Sequence, residues 1–253
     1  MSYLPGKFIW FEHVSGDPAK ARAFYEPLFG WHVENMAMGD QTYAMIHNGQ
    51  QGIGGLTPAE PGEGPQWRSF ISVLDVDKTY QAALAAGAKS TMAPTDFGPV
   101  GRGAGIVDPT GAPVSLWHSN DADRADEQQV PFGDWYWNEL WTPDAKKALA
   151  FYEKILGYTH DTMNMGEGGD YHVIKTGEVP RGGIFQSNEK DTPPMWMPYV
   201  HVADCDATAE KVTALGGKMF MPPMDVQGVG RFAAAFDPLG AAFAFIVGKP
   251  GPM

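Results

Sequence analysis

The chain has 253 residues, which is more than one average domain needs, and 43% of them are apolar. That apolar share excludes a wholly disordered chain. The formal net charge is −12, from 18 basic and 30 acidic residues. Because an acidic surface has no electrostatic attraction to phosphate backbones or anionic lipid, we expect neither a nucleic-acid partner nor membrane association.

The cellular compartment is predicted from cysteine content and from the lack of targeting features. The sequence has no apolar run of the ~18 residues that a membrane helix needs. Its first ten residues do not follow the layout of a secretory signal. Cys205 is the only cysteine and cannot form a disulfide within the chain, which is typical of a reducing compartment. We therefore predict a cytoplasmic protein.

The first half of the chain alternates strands and helices in a fixed order. An apolar strand over 8–14 is followed by a helix that Asp17 caps, that Pro18 begins and that Gly30 ends. Three short strands follow, and then the same order starts again from a strand near Trp67. The later predicted elements are strands at 31–38, 41–47, 53–56 and 67–74, a helix at 75–86, and strands at 89–92, 103–107 and 114–118.

The second half repeats the first. Phe24-Tyr25-Glu26 recurs as Phe151-Tyr152-Glu153, and the Asp-Pro-x-Gly sequence at 108–111 recurs at 237–240. Matches that hold in order across a whole half indicate duplication. We predict four βαβββ modules with mixed or antiparallel sheets, an α+β fold. The expected domains are 1–120 and 130–253, joined by a polar, acidic linker at 121–129.

These motifs resemble the vicinal oxygen chelate superfamily, which includes glyoxalase I, bleomycin and fosfomycin resistance proteins, and extradiol dioxygenases. The resemblance rests on Trp-x-Glu, Phe-Tyr-Glu and Asp-Pro-x-Gly, each met twice in order. It implies that two modules together form a cup that holds a small-molecule ligand. The chain would then have two glyoxalase-like cup-shaped domains, and because it carries all four modules, a monomer could complete both cups.

The same resemblance implies where a metal would be held. The metal-dependent members place a His on the first strand and a Glu on the last strand of each module. None of the matching positions here is a His or a carboxylate, and a guanidinium stays protonated and cannot ligate. We therefore expect no metal and no cofactor, although a slip of one residue in strand register would reverse this interpretation. The matching residues are Trp10, Arg68, Trp137 and Met197 on the first strands, and Gly55, Ser115, Gly183 and Ala244 on the last strands.

Glu12 and Glu139 are the predicted catalytic residues. Each follows a tryptophan by two residues, so strand alternation places Trp10 with Glu12, and Trp137 with Glu139, on one face. A carboxylate beside an indole would have a raised pKa and could exchange a proton with a ligand. The alternative is structural: an ion pair with a nearby arginine, or a cap for backbone N–H groups.

Three arginines are candidate ligand-binding residues. Arg68 could hold an anionic or carbonyl group through its forked N–H donors, or it could form a surface ion pair. Arg102 and Arg231 follow glycine-rich loops and could close over a cup, or they could pair with Asp96 and Asp225. The complete set of predicted ligand-binding residues is Trp10, Arg68, Arg102, Ser115, Trp137, Met197, Tyr199, His201 and Arg231.

Three functions stay open at this point. The first is a protein that binds a small apolar or aromatic compound without metal and sequesters it or transforms it by acid–base chemistry. The second is a metal-dependent lyase or dioxygenase with unusual ligands such as Glu12, Glu139 or His201. The third is a non-enzymatic scaffold whose cups are filled by side chains. His201 is included because it shares a strand face with Met197 and Tyr199, although an ordinary imidazole is the favoured interpretation.

Overall fold

The computed structural model describes residues 2–38, 41–187 and 192–248. Its elements follow the βαβββ order four times. The first half comprises β1 (Phe8–Ser15), α1 (Pro18–Phe29), β2 (His32–Met38), β3 (Gln41–Asn48), β4 (Gln51–Pro58), β5 (Gln66–Ser72), α2 (Val76–Ala85), β6 (Lys89–Asp96), β7 (Gly101–Val107) and β8 (Pro113–Ser119). The second comprises β9 (Trp135–Thr142), α3 (Ala145–Leu156), β10 (Thr159–Asn164), a 3-10 turn (Gly166–Gly168), β11 (Asp170–Thr176), β12 (Val179–Gln186), β13 (Met195–His201), α4 (Cys205–Ala214), β14 (Lys218–Val226), β15 (Gly230–Phe236) and β16 (Ala242–Gly248).

The helices begin and end where their capping residues predict. The Asp17 carboxylate accepts a hydrogen bond from Lys20 N at 3.0 Å, and Gly30 ends α1 in the left-handed region at φ 74°. Asp144 and Gly157 do the same for α3. Because the caps are local, the helix bounds in the sequence prediction are within about two residues of those observed.

The strands form two eight-stranded sheets, each from one half of the sequence. Their orders are β2-β3-β4-β1-β5-β8-β7-β6 and β10-β11-β12-β9-β13-β16-β15-β14. Parallel pairs such as β1 with β4 occur beside antiparallel pairs such as β3 with β4. The predicted α+β fold with mixed sheets is confirmed.

The chain folds into two compact units, and each unit takes segments from both sequence halves. Unit 1 consists of Met1–Ile9, Ser69–Asp126 and Trp137–Trp196. Unit 2 consists of Trp10–Arg68, Glu127–Tyr136 and Met197–Met253. The division into domains at 1–120 and 130–253 matches the two sheets and otherwise stays a prediction.

The core of unit 2 holds a buried relay built from three of the repeated motifs. Trp67 donates from its indole N–H to the Tyr25 hydroxyl at 2.9 Å, and that hydroxyl donates to Asp237 Oδ2 at 3.1 Å. The other oxygen, Asp237 Oδ1, accepts three backbone N–H groups of the Asp-Pro-x-Gly turn, from residues 239, 240 and 241. His13 Nε2 lies 2.6 Å from Asp237 Oδ2, and both side chains are fully buried. This arrangement satisfies a carboxylate that would otherwise be costly to bury.

Unit 1 contains the same relay with one difference. Trp196 donates to the Tyr152 hydroxyl at 2.8 Å, and Tyr152 donates to Asp108 Oδ2 at 3.0 Å. Asp108 Oδ1 accepts three backbone N–H groups, from residues 110, 111 and 112. The repeat aligns His13 with Leu140, which is fully buried. The motifs that identify the family therefore have a structural role in both units.

Two further features of the fold bear on the sequence predictions. Among the described residues, no helix is long and apolar enough to cross a membrane. Cys205 is buried, and burial together with the negative charge of Asp206 raises the pKa of its thiol to about 12. Cys205 therefore stays a thiol at neutral pH, as its acidic neighbours predict.

Candidate functional site

Unit 2 contains a polar cluster on one face of β1, which we call the Glu12 cluster: Trp10, Glu12, Tyr43, Glu63 and Arg68. Trp10 Nε1 donates to the Tyr43 hydroxyl at 2.8 Å, and this hydroxyl donates to Glu12 Oε1 at 2.8 Å. Strand alternation explains why Trp10 and Glu12 act together, while His13 faces the opposite side and contacts Asp237. The result is a continuous chain of hydrogen bonds from indole to phenol to carboxyl.

Arg68 projects from β5 beside the second oxygen of Glu12. Its Nη1 lies 3.8 Å from Glu12 Oε2, which is too long for a direct hydrogen bond. Its Nη2 donates to Glu63 Oε1 at 2.5 Å, and Gln66 Nε2 also donates to that oxygen. Arg68 therefore pairs with carboxylates, as one of the sequence alternatives predicts, but its side chain is only 28% exposed and the pair is not a surface pair.

Burial dominates the acid–base properties of this cluster. It raises the pKa of Glu12, and the Tyr43 hydrogen bond and the Arg68 charge offset this only in part. It also raises the pKa of Tyr43 well above its usual value, with a further contribution from the charge of Glu12. Tyr43 is therefore a neutral hydrogen-bond donor, and Glu12 is the group in this cluster that titrates nearer to neutral pH.

A glycine makes room for the phenol of Tyr43. Glu12 pairs in register with Gly55 on the parallel strand β4. A Cβ atom at position 55 would lie 2.0 Å from the Tyr43 hydroxyl oxygen, a distance that no real side chain tolerates. The last-strand position where the family resemblance implies a ligating glutamate is thus a glycine covered by Tyr43.

Unit 1 contains the equivalent group, the Glu139 cluster: Trp137, Glu139, Trp141 and Tyr171. Trp137 Nε1 donates to the Tyr171 hydroxyl at 2.8 Å. Burial and the neighbouring Glu139, to which Tyr171 is hydrogen-bonded, raise the pKa of Tyr171 well above its usual value. Trp141 Nε1 donates to Glu139 Oε1 at 2.6 Å, and the Glu139 residue is only 8% exposed.

The Glu139 cluster repeats the glycine as well. Glu139 pairs in register with Gly183 on β12, and a Cβ there would lie 1.9 Å from the Tyr171 hydroxyl oxygen. The two clusters share the indole, the phenol, the carboxyl and the glycine. They differ in the fourth polar partner, which is Arg68 in one and Trp141 in the other.

Arg102 and Arg231 hold hairpins to helices. Arg102 donates twice to Asp77 of α2, at 2.7 and 2.8 Å, so its carboxylate partner is Asp77 and not the Asp96 that sequence proximity suggests. Arg231 donates twice to Asp206 of α4, at 2.7 and 2.8 Å, and once to Asp225 at 2.9 Å. The Arg231–Asp225 pair is one that the sequence alternatives include.

The remaining predicted ligand-binding residues are mostly buried. Met197 and Tyr199 are 0% and 5% exposed, and Ser115 is 3% exposed opposite Phe70 in the register of β5 with β8. Tyr199 pairs in register with Ala244 and packs against Phe232.

His201 is more open than these residues. Its Nδ1 lies 2.7 Å from the carbonyl oxygen of Val130, and its ring packs on Phe132 and Tyr136. It also lines an open cavity of about 430 Å³ in unit 2, together with Leu28, Phe132 and residues of α4.

The observed register tests which residues occupy the positions of the family's metal ligands. The pairs Glu12–Gly55, Phe70–Ser115, Glu139–Gly183 and Tyr199–Ala244 align the first and last strands of the modules. No His or carboxylate stands at any last-strand position. Within residues 2–38, 41–187 and 192–248, no group of three or more His, Cys, Asp or Glu side chains is arranged to hold a metal ion.

Sequence reasoning missed the role of the two tyrosines. Neither Tyr43 nor Tyr171 stands next to a recognisable motif, so neither is among the predicted site residues. Two signals could have identified them. Tyr43 and Tyr171 stand at equivalent positions of the two halves, and the first and third modules each have a Gly-Gly pair, at 54–55 and 182–183, at the expected ligand position.

Comparison with known families agrees with this architecture. Residues 7–116 and 137–245 each match the family described as the glyoxalase/bleomycin resistance protein/dioxygenase superfamily. Because these two segments cover most of the sequence, the chain belongs to that superfamily and is a tandem member of it.

Individual relatives cover the whole chain. The chain is 37% identical over 259 residues to CFP32 of Mycobacterium bovis, a protein named as a glyoxylase, covering 99% of this chain and 97% of that protein. It is 30% identical to the anthracycline biosynthesis protein DauV of a Streptomyces species, covering 96% and 94%. Among solved structures, the Mn(II)-bound glyoxalase of Novosphingobium aromaticivorans has a TM-score of 0.67 at 14% identity, covering 96% of this chain and 82% of that one. The 2,3-dioxygenase LapB of a Pseudomonas species has a TM-score of 0.66 at 13% identity, covering 100% and 95%. At such identities these structures show a common fold.

Proposed function

We propose that this protein binds a small, flat, mostly apolar or aromatic compound at the Glu12 and Glu139 clusters, and that it sequesters the compound or transforms it by acid–base chemistry. The observation that carries the proposal is a Trp–Tyr hydrogen bond beside a glutamate, which is built twice at equivalent strand positions and which Tyr43 extends to the carboxyl of Glu12. Asp108 and Asp237 have the same indole and phenol partners, but three backbone N–H groups occupy the second oxygen of each. The second oxygen of Glu12 has no backbone N–H partner among the described residues and lies 3.8 Å from Arg68, so the same chain can orient a ligand there.

The chemistry of the Glu12 cluster suits proton exchange. Tyr43 binds Glu12 Oε1, and Oε2, which lies 3.8 Å from Arg68 Nη1, is the oxygen proposed to face a ligand. Because burial raises the pKa of Glu12, this carboxyl exchanges protons closer to neutral pH than an exposed glutamate does. The indole of Trp10 and the phenol ring of Tyr43 supply flat surfaces against which an aromatic compound can pack.

The residues present do not fit the divalent ion that the family resemblance implies. Trp10 offers an N–H donor only, Arg68 is a permanent cation, and Gly55 and Gly183 have no side chain. The phenols of Tyr43 and Tyr171 stand where a longer residue at these glycines would project. We therefore propose that both clusters work without a metal or other cofactor.

Two relatives support an aromatic ligand. DauV and a second protein, DnrV of Streptomyces peucetius, are both named anthracycline biosynthesis proteins, and anthracyclines are flat polycyclic compounds. We extend to this chain only the chemical class, a fused aromatic ring system with polar oxygens. A single chain contains both clusters, so the proposal requires no partner subunit.

The test compares Glu12→Gln and Glu139→Gln with Glu210→Gln, a variant at an exposed position on α4. A panel of fused aromatic hydroxy and keto compounds is titrated into each protein by calorimetry. We expect at least one compound to bind wild type and the Glu210 variant equally, and to bind one or both of the other variants several-fold more weakly. Wild-type affinity in both the Glu12 and the Glu139 variant would remove these residues from the site.

A further inference from the structure

We propose that Arg68 and Glu12 bind a single ionised oxygen of the ligand, a phenolate or enolate, and that the site takes up one proton as this anion binds. This proposal rests on the proposed function, because it specifies what the Glu12 cluster recognises. It concerns unit 2 alone.

Arg68 has a donor group that the cluster does not use. A guanidinium has five N–H donors in a rigid fork. Nη2 is held by Glu63 at 2.5 Å, which fixes the orientation of the fork. In the part of the chain that the structure describes, Nη1 makes no hydrogen bond, and it lies 3.8 Å from Glu12 Oε2. A positioned cationic donor without an acceptor is suited to an anionic oxygen.

The distance between Arg68 Nη1 and Glu12 Oε2 leaves room for one oxygen atom between them. One oxygen atom can lie ~2.8 Å from both of two atoms that are 3.8 Å apart, which is the length of a charge-assisted hydrogen bond. An oxygen in this place would accept from Arg68 on one side. On the other side it would meet Glu12, which can donate only when it is protonated.

The surroundings of Glu12 favour its protonated form before any ligand binds. Burial raises its pKa in the free protein. An anion placed beside Oε2 raises the pKa further, because like charges disfavour the ionised form. The carboxyl then takes a proton from solvent and donates it in a hydrogen bond to the ligand oxygen. No covalent bond changes in the ligand in this step, and the proton comes from water or buffer.

The other donors in the cluster limit the ligand to one oxygen. The Trp10 N–H is used by Tyr43, and the Tyr43 hydroxyl is used by Glu12 Oε1. Arg68 and the new proton on Glu12 face the ligand oxygen, beside two aromatic rings. The Thr57 hydroxyl, which adjoins Glu12 and is buried without a hydrogen-bond partner among the described residues, can donate to the same oxygen. A flat ring with one acidic hydroxyl, whose ionised oxygen accepts from all three, satisfies this arrangement better than a carboxylate, which presents two oxygens.

The repeat supplies the matched variant. It aligns Arg68 with Met197, which is fully buried, so methionine is a residue that this fold accommodates at that strand position. Arg68→Met removes the cation and keeps an unbranched side chain. Arg68→Lys keeps the charge but removes the planar fork.

The experiment titrates a series of nitro-substituted 2-naphthols and their methyl ethers at pH 8 by calorimetry, in buffers of different ionisation enthalpy. For wild type we expect affinity at least about tenfold higher for an ionised naphthol than for its ether, with uptake of nearly one proton per ligand. Arg68→Met is expected to bind the naphthols no better than the ethers, and Glu12→Gln to abolish proton uptake.

Two outcomes overturn the proposal while the proposed function stands: wild type binds naphthols and ethers equally, or it binds naphthols without proton uptake. A 2-naphthoate that binds as tightly as the naphthols would also overturn the single-oxygen specificity. If no fused aromatic compound of either kind binds, the proposed function itself fails. If Arg68→Met does not fold, the proposal is tested with Arg68→Lys and with the wild-type comparison of naphthol and ether affinities.

Discussion

Units 1 and 2 use the same two hydrogen-bonded frames with different side chains beside them. Each unit has a buried Trp–Tyr–Asp relay and a Trp–Tyr–Glu cluster. Unit 2 places His13 beside the aspartate of its relay and Arg68 beside the glutamate of its cluster. In unit 1 the repeat places Leu140 at the first of these positions, and Trp141 donates to the glutamate.

This difference distinguishes the residues that the fold requires from those that act on a ligand. The frames recur in both units, so they are required to bury an aspartate and to orient a glutamate. Arg68 stands beside the glutamate of unit 2 and brings a cation there without changing the frame. We infer that the Glu12 cluster is specialised for an anionic ligand.

The largest expected effect is the loss of a relay aspartate. Asp237→Ala leaves three backbone N–H groups, the Tyr25 hydroxyl and His13 without their acceptor, and should lower the free energy of unfolding by about 3–5 kcal/mol. Unit 1 has Leu140 in place of the histidine, so Asp108→Ala should lower the free energy of unfolding by less, about 3 kcal/mol or below. Urea denaturation measures both, with the exposed linker residue Asp121→Asn as the control.

The contribution of Asp237 also depends on pH. Burial acts to raise its pKa, but hydrogen bonds from His13 and from the turn backbone outweigh this and hold the pKa below its usual value. The stabilisation is therefore present above the pKa of an unfolded aspartate, ~3.9, and lost as the pH falls through the folded value. Equal stabilities of wild type and Asp237→Ala at pH 7 would contradict the relay.

A smaller effect is expected from making the relay of unit 2 resemble that of unit 1. His13→Leu removes a buried imidazole whose Nδ1 makes no hydrogen bond in the described residues, and Asp237 keeps the partners that Asp108 has. The change in unfolding free energy should stay within about 1–1.5 kcal/mol, the net contribution of one hydrogen bond, because the fold already accommodates a buried leucine, Leu140, at the equivalent position. In the double variant with His13→Leu and Asp237→Ala, the change in unfolding free energy should differ from the sum of the two single changes. A change equal to that sum would show that the two side chains act independently.

Glu12→Gln tests the acid–base account of the Glu12 cluster, with an effect on stability that grows with pH. Because the pKa of Glu12 is raised on folding, the stability it contributes is complete below the unfolded pKa, ~4.3, and is lost as the pH rises through the folded value. Glutamine can still accept from Tyr43 but does not ionise. Its stability relative to wild type should therefore rise between pH 4 and pH 8 in thermal unfolding, and a constant difference would refute the raised pKa.

The smallest effect is predicted for the hairpin arginines. Arg102→Ala and Arg231→Ala remove exposed ion pairs with Asp77 and Asp206, which contribute little because solvent screens them. Ligand affinity should not change, since both side chains are held against helices. A large loss of affinity in either variant would restore the sequence hypothesis that these arginines close over a ligand.

Much of the fold follows from local sequence. Aspartate caps and left-handed glycines determine where the helices begin and end, as at Asp17 and Gly30. Alternation pairs Trp10 with Glu12, and the repeat predicts four modules. These features depend on residues close together in the chain, where propensity and hydrogen bonding act directly.

The parts that could not be predicted depend on contacts between distant segments. Tyr43 approaches Gly55 only because β3 and β4 pair in a particular register, and Tyr25 reaches Asp237 from the other sequence half. The compact units mix both halves for the same reason, since side chains far apart in sequence determine the packing. Arg102 selects Asp77 over the nearer Asp96 because α2 presents its carboxylate to both guanidinium donors.

The central claim, that the Trp–Tyr–Glu clusters bind their ligand without a metal, is tested most directly by one titration. The protein is purified without chelators, and binding of the best fused aromatic compound is measured as isolated, after exhaustive EDTA treatment, and after addition of Mn²⁺, Fe²⁺, Ni²⁺ or Zn²⁺. Our account predicts the same dissociation constant in all of these conditions. Binding that EDTA abolishes and one divalent ion restores would contradict it.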